Sequence, residues 1–315
     1  MHRLIRTFAS SAIGLVMSVA LGGVALAGTP AGGTVFIGAA YVPHNLYRID
    51  FQYDGANALN VDPQILVTLP TAADAVIVPG GDLVVAGQGS NVYKVDTDDG
   101  TYTTSSTGNN GNTIALDPSG QSVWIGWTDT APSQVPLRPF GPGTPHSVSG
   151  DDFTISHFAF TPSNGVFYAN GGESNLASVG TIDLSTFVTT RIFSSVPATS
   201  IFYDAYSRSL IFVAFGKATQ VDPANPSVVL SSRDDSALGE NYLVLRPDGR
   251  GHLFGTRWGV SGANGGRLVL VDYSQSGLIG DASTIMVSAP MSDGLSGGVA
   301  VDTSLLANGF DAPVR

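Results

Sequence analysis

The sequence predicts an all-β fold, a six-bladed β-propeller of four-stranded antiparallel sheets. Three observations lead there. A strand–turn–strand pattern recurs along the chain and ends each time on glycine. A short apolar run closing on aspartate follows most copies. The pattern is also split between the two ends, so that the C-terminal piece supplies the half missing at the start.

The first two strands of the unit are clearest in "LDPSGQSVWIG" (116–126): an apolar run, a proline-bearing turn, then a second apolar run. "VIVPGGDLVVAG" (76–87), "FAFTPSNGVFYANG" (158–171), "IFYDAYSRSLIFVAFG" (201–216) and "LVLRPDGRGHLFG" (243–255) repeat it. The second half stands alone as "GTVFIG" (33–38). The closing glycines are Gly38, Gly87, Gly126, Gly171, Gly216 and Gly255, spaced 39 to 49 residues apart.

The third strand reads "LYRID", "VYKVD", "GTID", "TQVD" or "LVLVD", and a β-branched run such as "SVVLSS" follows as the fourth. In the third unit this part is "SQVPLRPFGPGTPHSVSG". Its prolines cannot donate to a ladder, which predicts an edge or irregular strand. No sustained helical periodicity appears after the N-terminal leader. Four short strands in each repeat suit a propeller, because a lone four-stranded sheet cannot bury both faces and a ring of them can.

"GGVAVDTS" (297–304) repeats the first half-unit, so it is expected to form the innermost strand of the blade that "GTVFIG" begins. That closure hides edges that would otherwise recruit other chains. "LLANGF" (305–310) resembles another second strand and would make seven blades.

Residues 1–27 read as a secretory signal peptide. Arg3 and Arg6 precede the apolar "AIGLVMSVALGGVALA", and Ala25-Leu26-Ala27 is a small-x-small cleavage site before Gly28. The remainder, residues 28–315, is expected to be one domain, secreted or periplasmic, with no integral membrane span after cleavage. Cysteine is absent, so packing and strand pairing must hold the fold. Losing Arg3 and Arg6 moves the formal charge from −11 to −13. So acidic a chain is a poor match for phosphate backbones, and nucleic acid is excluded as a partner class.

The "DPSG" and "RPDG" turns and the aspartate-ended runs resemble the broad superfamily of exported bacterial propellers. Its branches include NHL and YVTN repeat proteins, gluconolactonase-like lactonases and streptogramin lyases. The resemblance spans residues 33–304 and selects no branch.

Several motifs look chemical and have a plainer reading. Asp50, Asp96, Asp183, Asp222 and Asp272 recur at one repeat position, where an aspartate closes an Asx-turn on backbone N–H groups. "DTDDG" (96–100) lacks the spacing and final glutamate of an EF-hand. "GLSGG" (294–298) matches G-x-S-x-G, but a strand follows it where a nucleophile elbow needs a helix.

Variable loops on a rigid frame are where binding is expected. With strands a to d running outward from the axis, the b–c and d–a connections share one face. It would gather Tyr41, His44, Trp127, Asp129, Glu173, Arg257 and Trp258. Flat aromatics beside polar groups suit a small molecule, a glycan or a protein.

The channel mouth, read a few residues before each a–b turn, collects Asp74, Asn112, His157, Thr199, Glu240 and Asn241, with Ser296 in the last unit. In the gluconolactonase-like branch such positions hold one divalent cation. The resemblance therefore implies Asp74, Asn112, Glu240 and Asn241 as oxygen ligands for calcium or magnesium, though His157 and Thr199 interrupt the ring. His157, as a histidine that ordinarily titrates near neutral pH, is the candidate general base. Two functions follow: a non-catalytic binding propeller, or a metal-assisted lactonase, esterase or lyase. The sequence leaves open whether the chain is an enzyme.

Overall fold

Near-continuous apolar runs mark strands buried on both faces, and the second strand of each repeat has that character. "LVVA" (83–86) is buried at all four positions, and "SVWIGW" (122–127) at its first five. The computed structural model describes residues 28–40, 42–127, 130–171, 177–214, 216–235, 242–257, 266–281, 284–289, 291 and 297–302.

These residues form six sheets. Blade 1 contains β1 (Ala31–Gly38), β2 (Asn45–Tyr53) and β3 (Leu59–Thr68). Blade 2 contains β4 (Asp74–Ile77), β5 (Leu83–Ala86), β6 (Gly89–Val95) and β7 (Tyr102–Gly111). Blade 3 contains β8 (Thr113–Leu116), β9 (Ser122–Trp127), β10 (Thr130–Pro136) and β11 (Thr144–Pro145). Blade 4 is five-stranded. A two-residue strand, β12 (Ser149–Gly150), lies parallel on the outer edge of β13 (His157–Phe160), β14 (Val166–Asn170), β15 (Ser178–Asp183) and β16 (Val188–Ser194). Blade 5 contains β17 (Ser200–Asp204), β18 (Ser209–Ala214), β19 (Lys217–Asp222) and β20 (Asn225–Asp234). Blade 6 contains β21 (Tyr242–Pro247), β22 (His252–Arg257), β23 (Leu268–Asp272) and β24 (Thr284–Val287).

The last strand, β25 (Val299–Asp302), completes blade 1 from the inside. It runs antiparallel to β1, with Val35 opposite Val301 and Ile37 opposite Val299. The inner strands β4, β8, β13, β17, β21 and β25 each touch the next, and β25 touches β4, so the ring closes at six blades. Residues 305–310, which suggested a seventh, lie outside the described residues. The proline-rich third unit ends in the two-residue β11, as its composition predicts. The fifth strand of blade 4 was not legible.

Six apolar clusters fill the six gaps between neighbouring blades. Between blades 1 and 2, for example, Phe36 and Leu46 meet Leu83 and Val85. The seam between blades 6 and 1 is packed like the rest: Phe51 lies 4.6 Å from Phe254, ring centre to ring centre.

The aspartate turns behave as read, with one exception. Asp96, Asp183, Asp222 and Asp272 each accept the amide two residues on, from Asp98, Ser185, Ala224 and Ser274. Asp50 instead lies inside β2 and accepts from Thr34 Oγ1 at 2.6 Å. The strand runs on to Tyr53, and Asp54 takes the turn, accepting the amides of Ala56, Asn57 and Ala58.

Candidate axial and loop-face site

Four inner strands begin with a buried polar residue: Asp74 on β4, Thr113 on β8, His157 on β13 and Ser200 on β17. They share one level, six to six and a half positions before the centre of each a–b hairpin. Asp74 and His157 were expected there. On blades 3 and 5 the level belongs to Thr113 and Ser200, one residue beyond Asn112 and Thr199. Those two amides already close the hairpins, on Gly126 O and Val213 O.

The group that organises this level was not expected. Arg246, two positions further along β21, reaches across it. Its Nη2 donates to Asp74 Oδ2 at 2.7 Å, and its Nη1 donates to Ser200 Oγ at 3.0 Å and Leu245 O at 3.2 Å. The Ile114 amide also donates to Asp74 Oδ2, and the Ala75 amide to Oδ1. Burial raises the Asp74 carboxyl above its ordinary value, against the pull of Arg246 and the two amides. Arg246 is the one Lys or Arg in the six inner strands. A cation in so apolar a setting needs a buried partner, and that was the signal available in the sequence.

The His157 ring makes no hydrogen bond among the described residues. Burial, and then the charge of Arg246, lower it to about 3. A base that weak accepts protons poorly at neutral pH. The cation beside Asp74 is the chain's own guanidinium, so calcium or magnesium would have to compete with Arg246 for this carboxylate. Among the described residues no three His, Asp or Glu side chains gather as a metal group. Below the ion pair, a cavity of about 280 Å³ between β4, β21 and β25 is lined by Val76, Arg246, Val299 and Val301.

On the loop face, Trp127 closes β9. It is half-buried, and its amide donates to Ile155 O at 3.2 Å. Its ring has no aromatic or hydrogen-bonding partner among the described residues. Trp124, three residues earlier, is buried beside Phe158, Phe187 and His146. His44 is half-buried in its turn, and its Nδ1 donates to Ala39 O. The backbone of Arg257 ends β22. Tyr41, Asp129, Glu173, Glu240, Asn241, Trp258 and Ser296 lie outside the described residues.

The last two glycines of "GLSGG" serve packing. A Cβ on Gly298 would lie 1.6 Å from Asp74 Oδ1, and one on Gly297 would lie 1.7 Å from Gly38 O.

No family model matches the chain, and no curated protein matches it in sequence. In shape it matches 1091 solved chains, and a form that common selects no function. One, described as "Structure of U3-55K", is 10% identical with a TM-score of 0.47 over 67% of this chain. The chain spans 64% of that structure's length.

Proposed function

We propose that this is an exported propeller that binds a small molecule, glycan or protein on its b–c and d–a face, without chemistry of its own. Trp127 carries the reading. A half-exposed indole at a loop rim, with no ring partner among the described residues, offers a flat apolar surface for a sugar or an aromatic group. His44 and Arg257 sit on equivalent rims of other blades. At the axial mouth Asp74 and Arg246 satisfy each other, which supports recognition at the surface over reaction at depth.

The test combines a glycan array, a thermal-shift ligand panel and affinity capture with a lactone and ester turnover screen. A bound ligand should perturb tryptophan fluorescence, and Trp127→Ala should weaken it by about tenfold or more. Turnover of a lactone or ester, with every binding assay silent, would sink the proposal.

A further inference from the structure

The described chain starts at the seam between blades 6 and 1, with Gly28 half-buried and Thr29 exposed. His252, fully buried, donates from Nε2 to Thr29 O at 2.9 Å and from Nδ1 to Asp248 Oδ2 at 2.7 Å. With both ring nitrogens donating, the ring is an imidazolium. A second carboxylate, Asp272, lies 3.8 Å from the same ring and is equally buried. Asp272 Oδ1 accepts from the amide and hydroxyl of Ser274, and that hydroxyl also accepts the Thr29 amide. Asp272 Oδ2 takes one neutral donor, Tyr53 Oη, at 2.8 Å.

The other side of Oδ2 meets Gly28. A Cβ there would fall 1.6 Å from Oδ2 and 3.0 Å from Gly55 O, so only glycine fits. The main-chain nitrogen of Gly28 is two bonds from that Cβ position, through the shared Cα. Here two buried carboxylates, Asp248 and Asp272, share the His252 cation. A second cation beside Oδ2 would balance them, and buried charges are stable when paired.

We propose that Asp272, Tyr53 and Ser274 form a receptor for the free α-ammonium group of Gly28, released by peptidase cleavage after Ala27. This rests on the reading of residues 1–27 as a cleaved leader. In the step, water hydrolyses the Ala27–Gly28 peptide bond. Its oxygen becomes part of the Ala27 carboxylate, and the C–N bond breaks. The Gly28 nitrogen keeps its electron pair and takes up protons as an ammonium, which pairs with Asp272 Oδ2. Processing thus installs an ion pair that ties the first residues of the mature chain across the seam where the ring must close.

The experiment compares three full-length mature chains: one beginning at Gly28, one with a single Ala before Gly28, and one acetylated on Gly28. The free chain should melt several degrees above the other two. In Asp272→Asn, which retains the Asx-turn, the three should melt together. The α-amino group of Gly28, followed by NMR, should titrate above its ordinary range of about 7.7–8.0. Equal melting of the three wild-type chains, with an ordinary titration, would overturn the receptor. If Asp272→Asn does not fold, the acetylated chain still removes the charge alone. N-terminal sequencing of the exported protein tests the leader separately: a start other than Gly28 overturns processing as the source of the amine, whatever the melting shows.

Discussion

Arg246 on the inner strand of blade 6 holds Asp74 on the inner strand of blade 2 at 2.7 Å, with blade 1 between them. The contact joins two blades that are not neighbours and lies where the chain's two ends meet. Asp74 is 2% exposed and Arg246 17%, so the carboxylate has no water to fall back on and the guanidinium little. Removing one partner strands the other. Arg246→Met or Asp74→Leu alone should each cost about 3–5 kcal/mol in urea unfolding, and the double replacement less than their sum. Additive losses would mean that the two groups are not coupled.

Gly298 is the floor on which the Asp74 carboxylate rests. Gly298→Ala should cost about 1–3 kcal/mol through overpacking. Gly141→Ala is the control, since its Cβ would meet nothing closer than 3.8 Å. Equal melting temperatures for the two variants would argue against this packing.

Two buried histidines should shape stability with opposite signs. His157 titrates at about 3 when folded, below the ordinary 6.5, because burial and Arg246 disfavour its charged form. Its contribution is complete above about pH 6.5 and is lost as pH falls toward about 3. For His252, burial lowers the value, but the hydrogen bond and charge of Asp248 and the charge of Asp272 raise the net result above 6.5. Its contribution is complete below about pH 6.5 and is lost as pH rises through the folded value. Melting curves across pH should therefore show His157→Gln flattening the acid limb and His252→Gln flattening the alkaline one. The same limb flattening in both variants would contradict this assignment.

Closure by β25 should decide whether the ring survives. A chain ending at Gly298 loses the four residues that pair with Thr34–Ile37 and leaves β1 as an open edge. It should elute as aggregates or be cut rapidly by protease. A monomer that melts like the full chain would show that closure is dispensable.

The six-fold repeat, the split first blade and most of the turns were legible because they depend on local chemistry. Apolar runs pair, proline and glycine turn the chain, and an aspartate such as Asp183 closes on its own backbone. Asp50 misled because its motif matched while β2 ran on to Tyr53. Thr113 and Ser200 were missed by one residue, since the level of the ring is set by hairpin register, which a repeat alignment places only approximately.

By itself, then, the sequence determined that repeated four-stranded sheets form, in what order, and which half-unit the C-terminal strand completes, because strand period and turn residues act over a few positions. That the ring closes at six was decided by the contact of β25 with β4. Only the tertiary structure decided that Arg246 and Asp74, 172 positions apart, neutralise each other at the axis, and that His252 grips Thr29 across the seam. Buried charges choose partners by proximity in space. That proximity exists only once the ring has closed.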